Sequence, residues 1–185
     1  ILFFRTSLLL WLTGILTACG GGGDGSNTTD AFKYAGTHSY CDNDHTRYRV
    51  ALTATGNGNY NAVDTDIIYQ NSNCTGNVLA TYSGPITNTL TFVETAIATV
   101  QTTGLAPSLS IDKYRVNTPN TPGSLTGPSV DGSCVNLVGR RICYSLDGGA
   151  QQLDVGLYQT NAGFYIMNLE NGVYVDRDAG LFLKE

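Results

Sequence analysis

The sequence has little charge and no concentration of residues that favour helices. Lys, Arg, Asp and Glu together make up 14% of the chain, and no segment gathers Glu, Lys and Ala. Gly, Thr, Asn and Tyr are frequent instead; Thr and Tyr favour strands, whereas Gly and Asn favour turns. The composition predicts a β-rich globular domain, and 185 residues are enough for one such domain plus an export segment.

Clusters of basic residues are absent as well. The formal net charge is −5, and removal of residues 1–18 would take away Arg5 and no acidic residue. Beyond the pair Arg140 and Arg141, the chain has no basic run. Binding to nucleic acid phosphates depends on several clustered cations. We therefore expect no nucleic acid partner, and we interpret the mild acidity as favouring solubility.

Familiar catalytic and nucleotide-binding motifs are missing too. The chain has two histidines, His38 and His45, so a Ser-His-Asp arrangement has few candidate bases. No G-x-S-x-G elbow, P-loop or dinucleotide-binding fingerprint occurs in the sequence. We predict no catalytic residue and no cofactor, and a hydrolase is the least expected function.

The first 18 residues have the pattern of an export signal. Arg5 precedes an apolar run over residues 8–16, which has the length of a signal peptide and is shorter than the ~20 residues that cross a bilayer. The next residues, Leu16-Thr17-Ala18-Cys19-Gly20, resemble the lipobox of bacterial lipoproteins. The resemblance implies cleavage before Cys19 and lipid on its thiol. Several acyl chains on one terminus anchor a protein better than one chain does. A plain secretory signal or a transmembrane anchor is the alternative.

A flexible tether is predicted between this signal and the domain. Residues 19–30 contain Cys19 and are rich in glycine, so they cannot bury apolar surface. Gly20, not Asp, follows Cys19, and by resemblance to Gram-negative sorting rules this implies the outer membrane. We expect a lipid-anchored protein of the bacterial cell envelope, with one all-β domain over residues 31–185.

The four other cysteines predict disulfides. An even number of cysteines in an exported chain is typical of disulfide pairing, and four residues allow three pairings. We prefer Cys41 with Cys74 and Cys134 with Cys143, because residues 135–142 have the pattern of a hairpin. The rival interpretation, a zinc site, would call for close C-x2-C spacings, which are missing.

About ten short strands are predicted, with no helix of three turns. Residues 46–55 alternate, so that Tyr48, Val50, Leu52 and Ala54 share one face. The turn at residues 56–59 predicts a hairpin with residues 60–69. Residues 117–132, which contain three prolines, are predicted to form a long loop.

Two short patterns resemble known families. Residues 33–41, which read Lys-Tyr-Ala-Gly-Thr-His-Ser-Tyr-Cys, are similar to the G-T-W…C opening of lipocalin-like barrels, with His38 in place of the usual Trp. Tyr69 and the run Asn73-Cys74-Thr75-Gly76 resemble a Y-x-x-x-N-C-T-G element of uncharacterised bacterial exported proteins. The resemblance implies an antiparallel lipocalin-like barrel of about 8–10 strands, with a β-sandwich as the alternative.

A metal site and a carboxylate pair are weaker candidates. His38, Cys41 and His45 form H-x2-C-x3-H, but Cys41 is assigned to a disulfide, so no metal is predicted. Asp64 and Asp66 share one face of a strand. Paired carboxylates can hydrolyse glycosides, although a solvated face is the more common explanation. Residues 176–178, Asp-Arg-Asp, could bind calcium weakly through their oxygen ligands, but we interpret them as a plain turn.

These patterns favour a binding module over other functions. The eleven tyrosines are spread over most predicted strands, where they suit a ligand pocket or ordinary strand packing. We expect a barrel that binds a small or hydrophobic ligand. The alternatives are an envelope protein-interaction module that uses residues 117–132, and a hydrolase.

Overall fold

The structure is a computed structural model that describes residues 32–42, 44–84, 87–176 and 180–185. All of the regular secondary structure in these ranges is β-strand, as the composition predicted. The strands are β1 (Gly36–Cys41), β2 (Thr46–Gly56), β3 (Asn59–Asn71), β4 (Thr75–Ser83), β5 (Asn88–Gln101), β6 (Ser108–Thr118), β7 (Ser124–Thr126), β8 (Val130–Asp131), β9 (Cys134–Leu137), β10 (Arg140–Cys143), β11 (Gln151–Gln159), β12 (Gly163–Glu170), β13 (Val173–Val175) and β14 (Phe182–Lys184).

Eight of these strands form a closed barrel. Each strand pairs antiparallel with the next in the order β1, β2, β3, β5, β6, β11, β12 and β14, and β14 pairs with β1. Closure of the sheet removes its free edges. The predicted all-β fold is confirmed, and the closed circuit of hydrogen-bonded strands makes it a barrel.

A small second layer branches from β3. The beginning of β3 pairs with β5, whereas residues 65–71 pair with β4, which in turn pairs with β7. The separate sheet of β8, β9 and β10 packs against this extension around Ile68, Ala80 and Val135. The prediction of one long loop over residues 117–132 is therefore wrong. Its prolines lie between β6, β7 and β8, where a missing N–H removes no ladder hydrogen bond.

Another core lies on the outer side of the barrel wall. β13 pairs antiparallel with β12 and parallel with the end of β5. Val100, Ile111, Met167 and Tyr174 are buried together there. The strands β6 and β12 thus bury both faces, one towards the barrel interior and one towards this outer core.

Two disulfides hold the ends of neighbouring strands together. Cys41 at the end of β1 is bonded to Cys74 in the turn between β3 and β4, with Cα atoms 6.0 Å apart. Cys134 and Cys143 are bonded across the hairpin of β9 and β10, where they lie directly opposite each other. This is the pairing that the sequence analysis preferred.

Aromatic side chains fill one end of the barrel. Tyr34, in the turn that precedes β1, packs edge-to-face on Tyr60, Tyr114 and Phe164, with ring centroids 5.3–6.3 Å apart. All four side chains are fully buried. Edge-to-face pairs add to the free energy gained from apolar burial, so this end, called here the closed end, is a packed core.

A buried carboxylate ties the chain to the closed end. Asp112 on β6 accepts hydrogen bonds from Tyr34 Oη at 2.7 Å, Lys33 Nζ at 2.8 Å and Thr95 Oγ1 at 2.6 Å. Burial of Asp112 opposes its ionisation, but these hydrogen bonds outweigh that effect and hold the pKa of Asp112 below its ordinary value. The turn that contains Tyr34 is therefore fixed across the barrel end.

We expect Asp112→Asn to lower the free energy of unfolding by about 2–3 kcal/mol at neutral pH, because it removes hydrogen bonds to a charged acceptor. The native pKa lies below the unfolded value of 3.8. The stabilisation is therefore complete above that pH and is lost as the pH falls towards the native pKa. Urea unfolding at several pH values measures this.

The matched control for this prediction is Asp154→Asn on the adjacent strand β11. Asp154 is exposed and pairs with Arg115 at 3.0 Å. An exposed pair of this kind contributes at most about 1 kcal/mol. Equal losses in the two variants, or a difference from wild type that does not shrink in acid, would contradict the role of Asp112.

Candidate functional site

The other end of the barrel contains a cavity of about 200 Å³, called here the mouth cavity. Its walls are mainly aliphatic and come from strands on all sides of the barrel, including Val50, Leu52, Leu90, Val116, Val155 and Ile166. A second cavity of about 200 Å³ adjoins it, because both are lined by Val50, Asp64 and Ile166. Apolar walls with a few polar groups are typical of small-molecule sites.

Side-chain size along the strands explains why the space lies at this end. Alternate residues of a strand face the barrel interior. On β3 these residues pass from Tyr60 to Ala62, and on β6 from Tyr114 to Val116. The large rings fill the closed end, and the smaller side chains leave the mouth cavity open. The position of the cavity therefore follows from the sizes of the alternate side chains that face the barrel interior.

Asp64 and Asn88 are the polar pair in the wall of the mouth cavity. Asn88 Nδ2 donates a hydrogen bond of 2.7 Å to Asp64 Oδ2. Asn88 is 6% exposed, and its Oδ1 atom has no hydrogen-bond partner among the described residues. Asp64 is exposed to solvent at the mouth of the barrel, where it lines the cavity. Burial raises the pKa of Asp64, and the hydrogen bond from Asn88 acts in the opposite direction.

Asp66 lies two residues after Asp64 on β3 and is surrounded by tyrosines. It is directly opposite Tyr48 on β2 and Tyr82 on β4. The ring of Tyr82 stacks on that of Tyr144, with centroids 4.6 Å apart. Burial, and then the nearby Asp66 carboxylate, raise the pKa of Tyr144. Asp64 and Asp66 do share one face, as predicted. That face lines the cavities at the mouth of the barrel, where Asp64 is exposed to solvent and Asp66 is half-buried.

We expect Asn88→Ala to raise the pKa of Asp64 further, because it removes the hydrogen bond that favours the ionised form. The native pKa of Asp64 already exceeds the unfolded value of 3.8. Ionisation of Asp64 therefore lowers the stability of the fold as the pH rises from the unfolded pKa to the native pKa. Asn88→Ala should widen the gap between these two pKa values. A carboxyl-carbon NMR titration measures the change, and Asn168→Ala, which removes another amide from the wall, should leave the titration unchanged.

The structure separates the residues of the suggested metal motif. His38 lies inside the barrel, 5% exposed, with its ring 4.7 Å from that of Phe164 and Nε2 3.2 Å from the carbonyl oxygen of Tyr34. Burial lowers the pKa of His38. Cys41 is in a disulfide, and His45 Nδ1 is 3.2 Å from the carbonyl oxygen of Tyr69. Within the described ranges, no group of three His, Cys, Asp or Glu side chains is placed to hold a metal ion.

Several predicted features lie outside the described residues. The signal, Cys19 and the tether fall within residues 1–31, and the second and third residues of the Asp-Arg-Asp turn are Arg177 and Asp178. Of that turn the structure describes Asp176, whose backbone N–H donates to Thr102 Oγ1 at 3.3 Å. In the part of the chain that is described, no helix is long and apolar enough to span a membrane.

Sequence reasoning did not single out Asn88. It begins a strand whose interior face continues with Leu90 and Phe92, so a polar residue in an apolar alternation was the available signal. The tyrosines occupy two kinds of position. Tyr34, Tyr60 and Tyr114 form the packed closed end, whereas Tyr48 lines the cavity beside Asp66.

No protein-family model, curated protein or solved structure matches the chain.

Proposed function

We propose that this protein binds a small ligand with an apolar body in the mouth cavity of a lipid-anchored barrel. The observation that carries the proposal is the cavity itself, which has aliphatic walls and the Asp64–Asn88 pair at its surface. Burial of apolar ligand surface supplies affinity, and a few fixed polar groups orient the ligand. The protein-interaction alternative through residues 117–132 and the hydrolase alternative remain predictions.

The size of the site favours a small ligand. Each of the two adjoining cavities has a volume of about 200 Å³, below the range of roughly 300–1,000 Å³ that is usual for drug-sized ligands. The aromatic core closes the far end of the barrel. A ligand would therefore enter from the mouth and place its apolar part against Val155 and Leu157.

The binding proposal is tested with 1-hexanol, a small neutral amphiphile, followed by NMR shift perturbation. We expect shifts around the mouth cavity in wild type. Leu153 lines this cavity and is 37% exposed, so Leu153→Trp should obstruct the mouth with little cost to the core and weaken binding at least about tenfold.

The matched control is Leu169→Trp. Leu169 has a similar exposure, 40%, but it lies on the outer face beside Val93 and Lys113. This variant should bind 1-hexanol as wild type does. Absence of binding to wild type, or equal weakening in both tryptophan variants, would refute the mouth cavity as a ligand site.

The anchor is the second part of the proposal. We propose that Cys19 carries the lipid, that residues 19–30 are the tether and that the protein is held in the cell envelope, in the outer membrane. Two disulfides support an oxidising compartment. The turn with Lys33 and Tyr34 is fixed at the closed end, so a tether that leads there leaves the mouth free.

Metabolic labelling with an alkyne fatty acid tests the anchor. The expressed chain should incorporate label and sediment with membranes, whereas Cys19→Ser should do neither, because it lacks the thiol that takes the lipid. A double variant, Cys134→Ser with Cys143→Ser, retains Cys19 and should remain labelled. Labelling that persists in Cys19→Ser would contradict the assignment.

A further inference from the structure

We infer that the mouth cavity selects a ligand with a cationic amine head group and a short apolar tail. This inference rests on the proposed function and adds the chemical class of the ligand. It depends on the Asp64–Asn88 pair, on Asp66 and on the aromatic rings next to that carboxylate.

The free polar atoms of the pair are acceptors. The amide donor of Asn88 is already used on Asp64, and Asn88 Oδ1, in a side chain 6% exposed, lacks a partner among the described residues. A buried unpaired acceptor costs free energy until a donor reaches it. An ammonium group has three donors and no acceptor, so it can satisfy Asn88 Oδ1 and a carboxylate together.

The charges around the cavities favour a cation. Asp64 lines both cavities, and Asp66 lines the second. Arg49 also borders the second cavity, but its Nε atom donates to Glu185 at 2.8 Å. Thr118 and Asn168 complete the polar lining of the first cavity and can donate or accept. A carboxylate ligand would meet like charges, whereas an ammonium ligand would meet opposite ones.

Aromatic rings lie beside the Asp66 carboxylate. Tyr48, directly opposite Asp66, lines the second cavity together with Phe182. A cation near an aromatic face is attracted by the negative charge density of the ring. The head group is therefore placed at Asp64, between the two cavities, with its tail in the aliphatic part of the first cavity.

Three ligands of equal tail length test the head group: hexylammonium, 1-hexanol and hexanoate. Calorimetric titration uses the chain as Cys19→Ser, so that no attached acyl chain competes for the cavity. We expect hexylammonium to bind most tightly and hexanoate most weakly. Asp64→Asn should weaken hexylammonium roughly 10- to 100-fold, the range for a lost hydrogen bond to a charged group, and should change 1-hexanol by less than about threefold.

Asp154→Asn is the control, since it removes an exposed carboxylate that is paired with Arg115 on the outer surface. It should leave all three affinities unchanged. If Asp64→Asn does not fold, the order of the three ligands in the Asp64-containing chain, with the carboxyl-carbon NMR shift of Asp64 on adding hexylammonium, is the deciding measurement.

The outcomes separate the two proposals. Equal binding of the three ligands, or hexylammonium binding that Asp64→Asn and Asp154→Asn change alike, would overturn the amine inference and leave the binding function intact. Failure of all three ligands to bind would overturn the binding function itself. Tighter binding of hexanoate than of hexylammonium would reverse the inferred charge preference.

Discussion

Closure of the barrel through β14 is the constraint on which the rest of the structure depends. This strand of three residues pairs with β1 on one side and with β12 on the other. Without those pairings the β1 and β12 edges would be open, and their interior side chains would meet water. Closure encloses the interior positions away from the mouth, so whether such a position becomes core or cavity depends on the size of its side chain.

The two ends of the barrel have different physical roles because different residues point inwards. At the closed end Tyr34, Tyr60 and Phe164 pack together, and Asp112 binds Lys33 and Tyr34. At the mouth, aliphatic side chains leave space beside Asp64 and Asn88. Rigid packing at one end thus leaves an open cavity at the other. For the ligand proposed above, a pre-formed cavity would lower the entropy lost on binding.

Much of this architecture was predictable from local patterns. The alternation of Tyr48, Val50 and Leu52 predicted the buried face of β2, and the turn at residues 56–59 predicted its hairpin with β3. The long loop over residues 117–132 was predicted wrongly, because its short strands β7 and β8 exist through pairing with β4 and β9. Such pairing depends on residues distant in the chain, and local propensity carries no information about it.

The sequence by itself determined the all-β class, the alternating faces of the strands and the presence of four cysteines beyond Cys19. These properties depend on residues close together in the chain, where backbone preference and period-2 alternation act. Only the tertiary structure decided that Asp64 meets Asn88, that Asp66 faces Tyr48 inside the barrel and that His38 packs on Phe164. Those neighbours come from separate strands, and they are brought together by the pairing register of the strands and by closure of the barrel.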